Sequence, residues 1–180
     1  MTWSDKLAGS TLTAAILNEG VSYGTKVSAT KVADTSRNTT IAPSADPELS
    51  IVLLANRTYD FGLDAFILSA ANGASSGDFR VRLAWTNTAT VTWRCQGHDN
   101  SLASGVAGTF NAQGAAGDTT SPTTDTSFGA STSPNSARIY GEIVTGGSNV
   151  TLSVEWAQLA STANAITLQT GSRLWAQRTA

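Results

Sequence analysis

The stretch TYDFGLDAFIL, residues 58–68, places Tyr59, Phe61, Leu63, Ala65 and Ile67 on one side of a two-residue period. Two further stretches repeat the pattern. In DFRVRLAW, residues 78–85, Phe79, Val81, Leu83 and Trp85 alternate with Arg80 and Arg82. In VTLSVEWAQ, residues 150–158, Val150, Leu152, Val154 and Trp156 alternate with Thr151, Ser153 and Glu155. Successive side chains on a strand point to opposite faces, so each run predicts a strand with one buried and one wet side. The expected fold is all-β: an antiparallel β-sandwich, jelly-roll-like, with eight to ten strands.

Working outward, residues 21–34 alternate loosely and read as an edge strand whose lysines discourage pairing with other chains. Ala42-Pro43 and Asp46-Pro47 bracket a predicted turn, and LSIVLLA, residues 49–55, reads as a fully buried strand. Asn56-Arg57 and Asn87-Thr88-Ala89 read as short turns, the second leading into TVTWRC. Residues 98–136 are mostly Ser, Thr, Gly, Ala and Asp. They predict one short strand near 106–111 and an exposed loop at about 112–136. Strands resume at 137–144, 150–158, 165–169 and 172–178. Trp85, Trp93, Trp156 and Trp175 fall inside strands, where buried indole N–H groups need partners. Trp85 and Trp156 are expected to be the most fragile positions, at about 3–5 kcal/mol for truncation to Ala.

The first twenty residues differ in kind. Ser10 or Thr11 caps a predicted short helix with Leu12, Ile16 and Leu17 on one stripe and Gly20 past its end. Trp3 lies upstream. A helix of about two turns does not stand alone in water, so residues 1–20 read as a docking arm ahead of a sandwich domain at 21–180.

Charged residues are 13% of the 180-residue chain, against roughly 25% in average proteins. The polar-uncharged surface suits contact with neighbours, since few long side chains need ordering. It also suits a secreted or repetitive β protein. A net charge of −2 gives no electrostatic case for nucleic acid. Arg80, Arg82 and Arg94 are expected close together on a wet face, as solubilising charges rather than a phosphate site. The single cysteine, Cys95, follows Val91 and Trp93 in phase and reads as a small buried hydrophobe. No basic-then-apolar leader opens the sequence, and no apolar run approaches a bilayer span. The expectation is a protein made in the cytoplasm, with no membrane partner. Three N-x-T triplets (at Asn38, Asn56 and Asn149) arise readily in a chain rich in Asn and Thr and are not read as glycosylation sites.

The sequence supports no enzyme. The one histidine, His98, is followed by Asp99 in a turn, and adjacent turn residues seldom face each other. Asp60 and Asp64 share a strand face but stand about 13 Å apart, too far for a carboxylate pair. Asp78 or Glu155 on a neighbouring strand is the remaining candidate partner. No histidine pair, cysteine pair or EF-hand loop points to a metal. Asp118 and Asp125 with nearby hydroxyls are the weak calcium candidates. No cofactor is expected. Tyr140 and Trp175 are out of phase with their apolar neighbours, which makes them candidate glycan contacts on an open sheet face.

Residues 9–20, GSTLTAAILNEG, resemble the short "LTAA-x-LN" opening of small virion proteins of tailed bacteriophages, especially those of actinobacterial hosts. Residues 55–85, with ANRTYDF and a strand ending in Trp85, resemble a β-sandwich family of the same phages. So do residues 150–178, with WAQ and TLQTGSRL. The resemblance covers about half the chain and carries no catalytic residue. It implies a non-enzymatic virion protein with a β-sandwich fold. The leading expectation built on it is a homotrimer on the capsid exterior, contacting the major capsid protein as a decoration or minor capsid protein. A minor tail or baseplate protein that meets the host surface is the near alternative. A carbohydrate-binding module is the alternative of another class.

Overall fold

The computed structural model describes residues 25–71, 77–98, 110–118 (backbone only) and 121–179. The arm with Trp3, Leu12, Ile16 and Leu17 lies outside them. The described residues form twelve strands and no helix. In chain order these are β1 (Lys26–Thr30), β2 (Thr35–Arg37), β3 (Ser44–Leu53), β4 (Thr58–Ser69), β5 (Phe79–Trp85) and β6 (Ala89–His98). They continue with β7 (Phe110–Asp118), β8 (Thr126–Phe128), β9 (Asn135–Thr145), β10 (Val150–Gln158), β11 (Ile166–Leu168) and β12 (Arg173–Arg178).

All pairings are antiparallel. The larger sheet runs β1-β12-β4-β9-β6-β7. The long β4 pairs with β12 over its first half and with β11 over its last three residues, and β2 pairs with β11 beyond. The smaller sheet runs β3-β10-β5-β8. Side chains from both sheets share one apolar core. The even-spaced residues of the opening stretches make most of it: Tyr59 to Ile67 on β4, Phe79 to Trp85 on β5 and Val150 to Trp156 on β10 are all buried. Cys95 is buried in phase with Val91 and Trp93, its sulfur 3.4 Å from Thr126 Oγ1 of the opposite sheet.

The turns follow the side-chain chemistry. Asn56 and Asn87 adopt φ of 54° and 60°, the left-handed conformation that asparagine tolerates better than most residues. Asn87 Nδ2 then donates to the Asn149 carbonyl at 2.7 Å, tying two turns at one end of the molecule.

Four expectations need correction. Residues 49–55 are not buried on both sides: Leu49, Ile51 and Leu53 face the core, whereas Val52 and Leu54 are more than half exposed. The reason is the two-sheet packing: only the inner face of β3 meets the shared core, and its other face looks outward. Asp46-Pro47 is not a turn either. It lies within β3 where the pairing with β10 shifts register between Ser153 and Glu155, the kind of edge bulge that accommodates a residue without an N–H.

The expected loop at 112–136 holds most of β7, which starts at Phe110, all of β8 and the start of β9. Ahead of β8, hydroxyls add to a backbone bond from the Thr123 N–H to the Leu83 carbonyl at 2.8 Å. Thr123 Oγ1 accepts from the Leu83 N–H at 3.0 Å, and Ser121 Oγ accepts from the Trp85 N–H at 2.7 Å. A Ser/Thr-rich segment thereby covers the edge of β5.

Lys31, read as an edge-guarding charge, is the fourth. It is fully buried just past β1, where its ammonium meets Asp46 on β3.

The indoles partly meet the expectation of hydrogen-bonded N–H groups. Trp156 Nε1 donates to Asp46 Oδ2 at 3.1 Å and Trp175 Nε1 to Asp64 Oδ2 at 3.3 Å. Trp93 Nε1 has no partner among the described residues.

Candidate functional site on the outer face of the larger sheet

The sheet register sets which polar-phase side chains meet on the outer face. Gly62, in the middle of β4, lies between Trp175 of β12 and Tyr140 of β9. Arg94 of β6 follows next to Tyr140. The two aromatic residues therefore stand two strand spacings apart, about 10 Å between backbones, across a residue with no side chain. The indole fills that gap. A Cβ built on Gly62 would sit 2.7 Å from two of its ring carbons, so the ring lies over the glycine.

Trp175 is held in this pose from its edge. Asp64 accepts from the indole N–H, and Asp64 is itself held by Arg138 Nε at 2.7 Å. The Lys26 ammonium lies 4.5 Å from the indole centroid, a cation–π contact at an exposed residue. Tyr140 is 41% exposed and Trp175 half-buried. The sheet thus brings together the two residues singled out by their phase.

Two grooves flank this row. One, of about 380 Å³, is lined by Trp175, Tyr140 and Arg94 on one side and by Asp60, Glu142 and Thr92 on the other. The second, of about 690 Å³, lies beyond Asp64 and is lined by Thr30, Phe66, Gln96, Arg138 and Arg173 among others. Both volumes fall in the range of about 300–1,000 Å³ typical of small-ligand sites.

Asp60 does have a carboxylate neighbour, though not one of those expected. Glu142 sits directly across from it on β9. Glu155 is on the other sheet, where it accepts from Arg82 Nε at 2.7 Å, and Asp78 accepts from the Ala130 N–H. The signal for Glu142 was present, since it stands two residues from Tyr140 in the same strand phase. Only the register reveals that it meets Asp60.

The remaining candidates are dispersed. Arg80 and Arg82 lie on the smaller sheet and face Asp125 at 3.7 and 3.6 Å, while Arg94 is on the larger sheet. The expected arginine cluster therefore splits in two. Asp125, a calcium candidate, is placed against these arginines instead. The side chain of Asp118 is outside the described residues. Among the described residues no group of three His, Cys, Asp or Glu side chains could hold a metal. His98 is half-buried at the end of β6, its carbonyl accepting from the Gly129 N–H, and Asp99 lies outside the described residues.

No known protein family and no curated protein matches the chain. One solved structure, "Structure of infectious bursal disease virus Gt strain", is similar at 15% identity over 87% of this chain, with a TM-score of 0.22. This chain spans 38% of that one's length. A likeness so distant carries no argument about fold or role.

Proposed function

We propose that the chain is a non-enzymatic structural protein of a tailed-phage virion, a jelly-roll-type sandwich that assembles as a homotrimer. In this reading it sits on the capsid exterior as a decoration or minor capsid protein and contacts the major capsid protein. The observation that carries the reading is where the phage-like residues fall. The blocks at 55–85 and 150–178 supply β4 and β12 among the inner strands of the larger sheet and β5 and β10, the two inner strands of the smaller one, with their core-phase apolar residues buried. The resemblance is thus one of framework, as expected of a subunit whose job is to hold shape.

The surface supports the same reading. With charged residues at 13% of the chain, much of what faces outward is Ser, Thr and other short polar side chains, which contact neighbours at low entropic cost. On a capsid lattice such a subunit stabilises by binding the assembled shell and not its separated parts. Placement on the tail or baseplate is the same-class rival.

The test is quantitative mass spectrometry of purified particles of the encoding phage, with native mass spectrometry of the isolated protein. Hundreds of copies per particle and a species of three times the 18.6 kDa chain mass are expected. A handful of copies would move the protein to the tail. Absence from the particle would overturn the proposal.

A further inference from the structure

We propose that the outer face of the larger sheet is a carbohydrate-binding platform for a chain of neutral or amino-bearing pyranose units, centred on Trp175 and Tyr140. The inference is independent of virion membership, since it rests on one sheet face alone.

The C–H face of a pyranose ring is a small apolar patch edged by hydroxyls, and it is complementary to a flat aromatic ring surrounded by hydrogen-bonding groups. This face supplies both parts. Trp175 is laid over Gly62 and fixed by Asp64, which Arg138 holds in turn, so the indole is oriented before any ligand arrives. Tyr140 stands on the other side of Gly62. Lys26 covers the indole through one exposed cation–π contact, which a stacking sugar displaces readily.

The rim selects the class of sugar. Asp60 and Glu142 are directly opposed across β4 and β9, an arrangement that costs stability because like charges repel. Both are exposed, and neither has an ion-pair partner among the described residues. Paired hydroxyls or an ammonium group from a ligand would satisfy them, while a sulfate or uronate would be repelled. Thr92 and Arg94 complete the groove with donors. The second groove, beyond Asp64, gives room for further units along the same face.

A second copy of the chain suits the face less well. Self-association needs about 800 Å² per partner around an apolar centre. Among the described residues, the other exposed apolar side chains of β4 and β9, Phe66 and Val144, lie at opposite ends of the face with charged rows between them.

The experiment is a glycan array carrying neutral, amino-bearing and sulfated oligosaccharides, probed with the full chain and followed by calorimetry on the hits. Binding to neutral or amino-bearing chains is expected. Tyr140→Ala, at an exposed position that leaves the fold intact, should weaken it at least tenfold, as should Asp60→Asn combined with Glu142→Gln. Val52→Ala on the other sheet should leave it unchanged. Binding confined to sulfated chains, or binding unaffected by the Tyr140 and acid variants, would overturn the proposal. So would an array without hits, and an oligomer that Tyr140→Ala dissociates would then identify a second copy as the occupant.

Discussion

Lys31 carries its charge into the space between the sheets, where its ammonium lies 3.0 Å from Asp46 and 3.1 Å from Glu48 and donates to Thr35 Oγ1 at 2.9 Å. Asp46 also accepts from Trp156 Nε1, and Arg37 lies 4.1 Å over the Trp156 ring while donating to the Trp156 carbonyl. Burial pushes the Arg37 guanidinium down from its usual range, and the charges of Asp46 and Glu155 oppose that shift. Removing one member of a buried pair strands the other, so Lys31→Met should cost about 3–5 kcal/mol in urea denaturation. The double variant Lys31→Met with Asp46→Asn should regain part of that loss, because no unpaired charge is left at position 46. The recovery is partial because one amide oxygen can replace only one of the bonds Asp46 accepts from Trp156 Nε1 and the Glu48 N–H. Two carboxylates contribute to stability in acid. Backbone and side-chain hydrogen bonds from Thr170 hold Asp34 below its ordinary range, and those from Val32 and Lys31 do the same for Glu48. Depressed folded-state values mean that this stability is complete above the unfolded-state values, about 3.9 and 4.3. It is lost as pH falls below them toward the folded values. Denaturation midpoints measured from pH 6 to pH 3 should therefore fall at the acid end, with a smaller fall in Glu48→Gln. Nothing in the sequence distinguished Lys31 from a surface lysine, because its burial depends on an acid fifteen residues away on the facing sheet.

At the scale of the strand, alternation was legible wherever one face is packed, as in β4, β5 and β10. It misled where apolar residues occupy the outward phase as well. LSIVLLA looks buried on both sides, yet Val52 and Leu54 face outward because the second sheet covers only one face of β3. The Ser/Thr-rich segment concealed order for another reason: it holds β5 through backbone bonds and hydroxyls, which carry no periodic apolar signal. Thr123 Oγ1 accepts from the Leu83 N–H and donates to the Leu83 carbonyl, both buried. Thr123→Val should thus cost about 1–3 kcal/mol in chemical denaturation, through two lost hydrogen bonds at nearly constant volume. On the outer face, Gly62→Val should lift the indole that lies over the glycine. A red-shifted tryptophan emission and a loss of about 1–3 kcal/mol are expected. The phase of Tyr140 and Trp175 could be read from sequence, but their meeting across Gly62 could not, because register between distant strands is a tertiary property.

For the whole molecule, the core is continuous between the sheets, and Trp156 sits fully buried within it, 5.7 Å from the Phe79 ring. Trp156→Ala should cost about 3–5 kcal/mol and lower one cooperative transition as a whole. The half-buried Trp175 should cost far less on the same change. Such a framework offers two outer faces to the surroundings, which is what a virion subunit contributes in the role proposed for it. The most direct test is an image reconstruction of the intact particle. Density for two stacked antiparallel sheets, in three-fold clusters on the capsid exterior, is the predicted result. A particle complete without that density would contradict it.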